Sequence, residues 1–261
     1  MVERARAVRA NGLDVGLLEA GSGPLALCLH GFPDTAHTWR HLLPVLAEAG
    51  FHAVAPFLRG YAPTADPDDA RYGIGALVAD AVALHQVLGG DGDAVLIGHD
   101  WGAEATTSSS SGSSTCSVPR LARQGHGGRG GRRDGLPRPA VAGLVPRLRR
   151  GPGSCPSEGE PSAAGNLTAA ISYSRNPAID AASGGAEASA AEAQAARQQA
   201  QQPTLYLHGS ADGSIGVELV ADAERQLAPG SRTIVVQGAG HFLHLEQPAE
   251  VNSQILSWVT G

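Results

Sequence analysis

Ala94-Val95-Leu96-Ile97-Gly98-His99-Asp100-Trp101-Gly102 is the stretch whose reading decides the fold. Its short apolar run has the character of a strand buried on both faces of a parallel sheet. Gly98 and Gly102 then flank Asp100 at equal spacing. Such glycines permit a tight turn from strand into helix that pushes the central side chain outward. A helix beginning just beyond favours negative charge at that point. An aspartate before Trp-Gly is by itself a common helix cap, so Asp100 gains weight as a nucleophile only from its strand and from partners elsewhere in the chain.

The same grammar runs outward on both sides. On the N-terminal side, 14–21 (DVGLLEAG) and 25–31 (LALCLHG) read as strands, 38–50 as a helix closed by Gly50, 52–60 as a strand and 73–90 as a helix ending in paired glycines. Near the C-terminus 204–209 (TLYLHG) and 232–242 read as strands, and 217–228 and 248–261 as helices. Alternating strands and helices predict an α/β fold with a mostly parallel sheet flanked by helices. Residues 1–106 form the N-terminal half of the core and 201–261 its C-terminal half, with a lid or insertion over 107–200.

The insertion is compositionally odd. From Thr107 to Gly165 there is no Phe, Tyr, Trp, Ile, Met, Asn or Lys; a serine run is followed by Gly/Arg and Pro/Arg clusters. Little apolar surface is available there to bury, and such a composition predicts a disordered or degraded lid. Out-of-frame translation is a second explanation: Leu144–Arg150 can be encoded by a string that, read one nucleotide later, gives Trp-Ser-Pro-Gly-Tyr-Asp. The run Thr107-Ser108-Ser109-Ser110-Ser111 also makes a poor continuation for a helix after Asp100.

Bulk properties narrow the class. Apolar residues make up 42% of the 261, enough for a real core, while 35 glycines and 17 prolines imply many turns. A formal net charge of −6 gives no reason to expect nucleic-acid binding. All 19 basic residues are arginine, a coding bias without functional meaning. Cys28, Cys116 and Cys155 have neither metal-ligand nor redox spacing, so no metal is expected. The N-terminus lacks the apolar run of a secretion signal, and no stretch approaches the ~18–20 apolar residues of a membrane span. A soluble cytoplasmic protein follows, with no membrane partner; its oligomeric state is not legible.

Three further phrases accompany Asp100. His30-Gly31-Phe32-Pro33 closes a strand. Gly238-Ala239-Gly240-His241 follows the last strand, and a histidine in such a loop suits a general base. His244, three residues on, is the weaker candidate. His208-Gly209-Ser210-Ala211-Asp212 follows the strand 204–209, and a lone Asp there would ordinarily be a turn residue.

Taken together, Gly98-His99-Asp100-Trp101-Gly102, His30-Gly31-Phe32-Pro33, Asp212 and His241 resemble the α/β-hydrolases of the epoxide hydrolase and haloalkane dehalogenase group. Leu58-Arg59-Gly60-Tyr61 resembles a phrase of the same group. The likeness covers about residues 10–106 and 166–261 and fails between. It implies a catalytic triad of Asp100 as nucleophile, Asp212 as acid and His241 as base, in that chain order. It also implies an oxyanion hole from the N–H groups of Phe32 and Trp101.

An ionised carboxylate can attack an electrophilic carbon without a base, giving an alkyl ester that His241-activated water hydrolyses. A small apolar organic substrate and water are the partners this chemistry needs, and no cofactor is required. The resemblance implies lid tyrosines that protonate an epoxide oxygen. At the matching phrase, Ser172-Tyr173-Ser174-Arg175-Asn176, serine stands at the tyrosine's place and Tyr173 beside it. For a dehalogenase, the Trp101 indole would bind halide. The reading is therefore an epoxide-hydrolase-like enzyme, with haloalkane dehalogenase and a non-catalytic remnant as alternatives. A serine esterase is disfavoured because no serine has the Gly-x-Ser-x-Gly context after a strand.

Overall fold

In the computed structural model, the described residues are 4–68, 71–106, 202–220, 223, 225 and 227–261, with the backbone of 116–119. Among them eight strands form one sheet: β1 Arg4–Ala10, β2 Leu13–Ala20, β3 Leu25–Leu29, β4 His52–Pro56, β5 Val95–His99, β6 Cys116–Pro119, β7 Thr204–Gly209 and β8 Arg232–Val236. The order across the sheet is β1-β2-β4-β3-β5-β6-β7-β8. The pairs β4–β3, β3–β5 and β7–β8 are parallel, while β2 and β6 run against their neighbours. Six of the eight strands therefore run in one direction, giving the mostly parallel, helix-flanked sheet that the alternation of elements predicts.

Central strands carry the core. Every residue of β3 is buried, as is every residue of β7. Ala26 and Ile97 of the paired β3 and β5 are wholly covered, and Trp39, Leu46 and Val54 pack into the same core. Each fully buried Val, Leu or Ile side chain stabilises by roughly 1.5–3 kcal/mol relative to exposure. This is why the apolar runs at 25–29 and 95–97 were legible as strands.

Three elements differ from the sequence expectation. β1, which alternates Arg with small apolar residues, has no apolar face to betray it; it pairs with β2 along its whole length, Arg4↔Glu19 to Ala10↔Leu13. The turn joining them is Asn11-Gly12, both at positive φ (46° and 77°), the dipeptide that fits a two-residue hairpin. The helix expected over 38–50 divides into a 3-10 turn, Ala36–His41, and α1, Leu43–Glu48, because Pro44 fits a helix's first turn and lacks the N–H to continue one. The third is β6. Its residues lie in the segment expected to contribute nothing to the sheet, yet Cys116–Pro119 pairs antiparallel with both β5 and β7. Backbone pairing is indifferent to side chains, so four residues without an apolar pattern can fill the gap between two central strands. The rest of 107–201, including the Ser172–Asn176 phrase and the out-of-frame reading, lies outside the described residues.

Helix α2, Ile74–Val87, buries Ala76, Leu77, Ala81 and Leu84, and with them Asp80. That carboxylate receives Arg59 Nε and Nη2, each at 2.7 Å, and Asn11 Nδ2 at 2.7 Å, while Arg59 Nη1 donates to the Arg71 carbonyl at 2.6 Å. This buried bidentate pair ties the chain after β4 to α2, which packs against β1 and against the helix that follows Asp100.

Candidate active site

Asp100 links β5 to helix α3, Trp101–Thr106, and has a left-handed φ of 52°. Aspartate tolerates this region better than most residues, but it is strained, and close packing maintains it. A Cβ on Gly98 would overlap the Gly102 carbonyl, one on Gly102 would overlap the Leu29 carbonyl, and one on Gly31 would overlap Asp100 itself. All three glycines of the two phrases are therefore required by contact, and the turns bearing Asp100 and Phe32 are pressed together. The Phe32 N–H donates to Asp100 Oδ1 at 2.8 Å. Trp101 is buried as the first residue of α3, where helix N–H groups have no partner within the helix.

His30 shapes the Phe32 turn from within. Leu58 N–H donates to its Nε2 at 3.0 Å, so the imidazole proton lies on Nδ1 and is donated to the Gly31 carbonyl at 2.9 Å. Burial pushes His30 down to about 4, which keeps it neutral in this role. Pro33 completes the turn.

The other two triad candidates arrive from the C-terminal half. His241 Nδ1 lies 3.2 Å from Asp212 Oδ2, and its Nε2 lies 3.6 Å from Asp100 Oδ2. Asp212 Oδ1 accepts the N–H groups of Ser214 (2.8 Å) and Ile215 (3.0 Å). Burial opposes ionisation of Asp212, but the His241 bond and charge and these N–H groups outweigh it and hold the carboxyl at about 2. Asp100 is likewise lowered: burial opposes, and His241 and the Phe32 N–H prevail. For His241 burial acts to lower and the two carboxylates overcome it, raising the imidazole to about 9. The structure thus brings Asp100, Asp212, His241 and the Phe32 N–H together. His244 is placed elsewhere, its Nε2 bonded to Thr38 Oγ1 and its ring 4.9 Å from Trp39, so the weaker alternative for the base is a packed core histidine. Tyr173 lies outside the described residues.

Several residues that shape the site were not read from the sequence. Glu246 accepts the N–H groups of Gly240 (2.6 Å) and Phe242 (3.1 Å), clasping the His241 loop from both sides. The loops of Asp212 and His241 are joined by Gly238 N–H to Ser210 Oγ (2.8 Å) and Ala211 N–H to the Ala239 carbonyl (2.8 Å). An acidic residue in the first turn of the helix after His241 was the available signal for Glu246. Glu104, one helical turn beyond Asp100, is buried, and its Oε1 has no hydrogen-bond partner among the described residues; burial first and the Asp100 charge second raise it to about 8. Nothing in a sequence pattern distinguishes it from a solvated helix glutamate.

A profile of the alpha/beta hydrolase family matches residues 26–254, and the chain belongs to that family. Over 101 residues it is 44% identical to Epoxide hydrolase A of Mycobacterium tuberculosis (strain ATCC 25618 / H37Rv), a stretch that is 38% of this chain and 31% of that protein. Over 97 residues it is 42% identical to the epoxide hydrolase of Caballeronia sordidicola, covering 37% of this chain and 29% of that protein. These matches therefore span less than a third of the curated relatives' own length. Among solved structures, an epoxide hydrolase from an endophytic Streptomyces aligns with a TM-score of 0.69 and 25% identity, over 99% of this chain and 96% of that one. The epoxide hydrolase of Vigna radiata aligns with a TM-score of 0.66 and 25% identity, over 98% and 97% of the two chains. Among the described residues no helix is long and apolar enough to cross a membrane.

Proposed function

We propose that this chain is an epoxide hydrolase that works through an alkyl ester on Asp100. The observation that carries the reading is His241 lying between two carboxylates, 3.2 Å from Asp212 and 3.6 Å from Asp100, with Asp100 also bonded by the Phe32 N–H. This arrangement supports an enzyme over a non-catalytic remnant, since a surviving fold alone has no need to keep three charged groups in register. The names of the similar proteins support the substrate class.

In the first step an Asp100 oxygen attacks an epoxide carbon, the ring C–O bond breaks, and the ring oxygen, still attached to the neighbouring carbon, becomes a hydroxyl by taking a proton from solvent. Ester formation removes one of the two negative charges flanking His241. The imidazole then falls below its resting value of about 9 and can release its proton. As the neutral base it takes a proton from water, whose oxygen adds to the Asp100 carbonyl. The Phe32 N–H, with that of Trp101, receives the resulting oxyanion. Collapse breaks the bond from the Asp100 carbonyl carbon to the alkyl oxygen, which takes the proton held by His241 as the diol departs, and the Asp100 carboxyl loses its own proton to become the carboxylate again.

Intact-protein mass spectrometry of a His241→Gln variant given an aryl epoxide tests this. The ester is expected to accumulate at the full mass of the epoxide, with breakdown slowed by about 10²–10⁴-fold. Asp100→Asn is expected to abolish the adduct. An adduct from a haloalkane that lacks the halogen, with none from the epoxide, would replace this reading with dehalogenation. No adduct from either would sink the nucleophile assignment.

A further inference from the structure

His99 ends β5 next to Asp100 and is wholly buried. Its Nε2 lies 2.9 Å from the backbone carbonyl of His241. A carbonyl can only accept, so His99 carries its proton on Nε2 and donates it there. Nδ1 is then a bare lone pair, and it has no hydrogen-bond partner among the described residues. Burial first and the neighbouring His241 charge second bring His99 down to about 4, so it stays a neutral donor at ordinary pH. The two rings lie 4.9 Å apart, adding a packing contact to the bond.

Among the described residues the other bonds on the loop itself come from its own half of the chain, while the short helix after it is tied to the N-terminal half by His244 Nε2 and Thr38 Oγ1. Glu246 and Ser210 fix the loop against the helix that follows it and against the Asp212 loop. His99 reaches it from the turn that bears Asp100, across 142 residues of sequence. The distance at stake is the 3.6 Å between His241 Nε2 and Asp100 Oδ2. A displacement of about 1 Å in a catalytic group can cost roughly 10²-fold in rate.

We propose that His99 is a positioning residue, whose Nε2–H donated to the His241 carbonyl sets the reach of the catalytic imidazole toward Asp100. The proposal rests on the ester mechanism above. Ester formation uses Asp100, whereas ester breakdown needs His241 in place, so His99 acts on the second step and leaves the first alone.

The test is a single-turnover mass time course with styrene oxide on the otherwise unaltered full chain, carrying His99→Leu or His99→Gln. Leucine fills much of the volume without a donor; the glutamine amide places an N–H near the position of Nε2. In His99→Leu, formation is expected at the parental rate and breakdown about 10²-fold slower, with His99→Gln recovering most of the loss. In parallel, NMR titration of the resting protein should show the His241 midpoint falling in His99→Leu and holding in His99→Gln. Equal slowing of both steps would mark a merely structural role and overturn the proposal. So would unslowed breakdown, or an unmoved His241 midpoint in His99→Leu. If His99→Leu does not fold, His99→Asn, whose amide stops short of Nε2, carries the same expectations. Absence of any adduct on His241→Gln with His99 intact would overturn the ester mechanism, and the NMR titration would then decide separately whether His99 holds His241.

Discussion

Around Asp100 the chain is held at three glycines by backbone pressed on backbone, whereas around His241 one such contact, at Gly209, is joined by hydrogen bonds between loops. In the half that bears Asp100, the proposed nucleophile, β3 is buried throughout, and Gly31, Gly98 and Gly102 have no room for a Cβ. In the half that bears His241, the proposed base, β8 is mostly half-exposed and a Cβ on Gly238 would meet nothing within 4 Å, although one on Gly209 would overlap the Ala239 and Gly240 carbonyls. There Glu246, Ser210 and Ala211 supply the order. A strained residue at φ 52° must be over-determined by its surroundings, and only close packing does this without a partner for every group. The base proposed here changes protonation state during turnover and so needs its partners placed, and hydrogen bonds provide direction where packing does not.

This contrast can be broken at three points. The largest effect is expected at the buried pair beneath the nucleophile half. Arg59→Met leaves Asp80 with an uncompensated charge and should cost about 3–5 kcal/mol in urea unfolding, with much of the loss recovered when Asp80→Leu is added. A cost under about 1 kcal/mol would mean that this half owes nothing to its polar clamp.

Glu104 gives a smaller effect of opposite sign. Its folded value of about 8 lies above the ordinary 4.5, so the folded state binds the proton more tightly. Stability therefore falls as pH rises from about 4.5 toward about 8 and flattens above. Glu104→Leu should remove that slope and raise stability near neutral pH by more than about 1 kcal/mol, read from urea midpoints across this range. An unchanged slope would show that the carboxyl is solvated.

The smallest effect belongs to the base half. Gly238→Ala meets no clash but must adopt φ 73°, a strain of about 1–2 kcal/mol. The variant should fold, with a modest fall in unfolding midpoint. A failure to fold would show that the loop is packed as tightly as the nucleophile turn.

Much of this arrangement is visible in one dimension. Apolar runs exposed β3, β5 and β7, glycine spacing exposed the turn at Asp100, and glycines around His241 marked its loop. Other features were hidden for separate reasons. β1 lacks an apolar face, although Asn11-Gly12 announces its hairpin. β6 is held by backbone pairing, which leaves no mark on composition. Glu246 and Glu104 are ordinary helix glutamates until the fold decides what surrounds them.

The sequence by itself determined the α/β alternation, the order Asp100, Asp212, His241 and the glycines that make their turns, because these are local properties of adjacent residues. Only the tertiary structure decided the distances that place His241 3.2 Å from Asp212 and 3.6 Å from Asp100. It alone ran β6 antiparallel, buried Glu104 with no hydrogen-bond partner for Oε1 among the described residues, and joined His99 to the His241 carbonyl across 142 positions. A hydrogen bond depends on a few tenths of an ångström, and that distance is set by how the chain returns on itself.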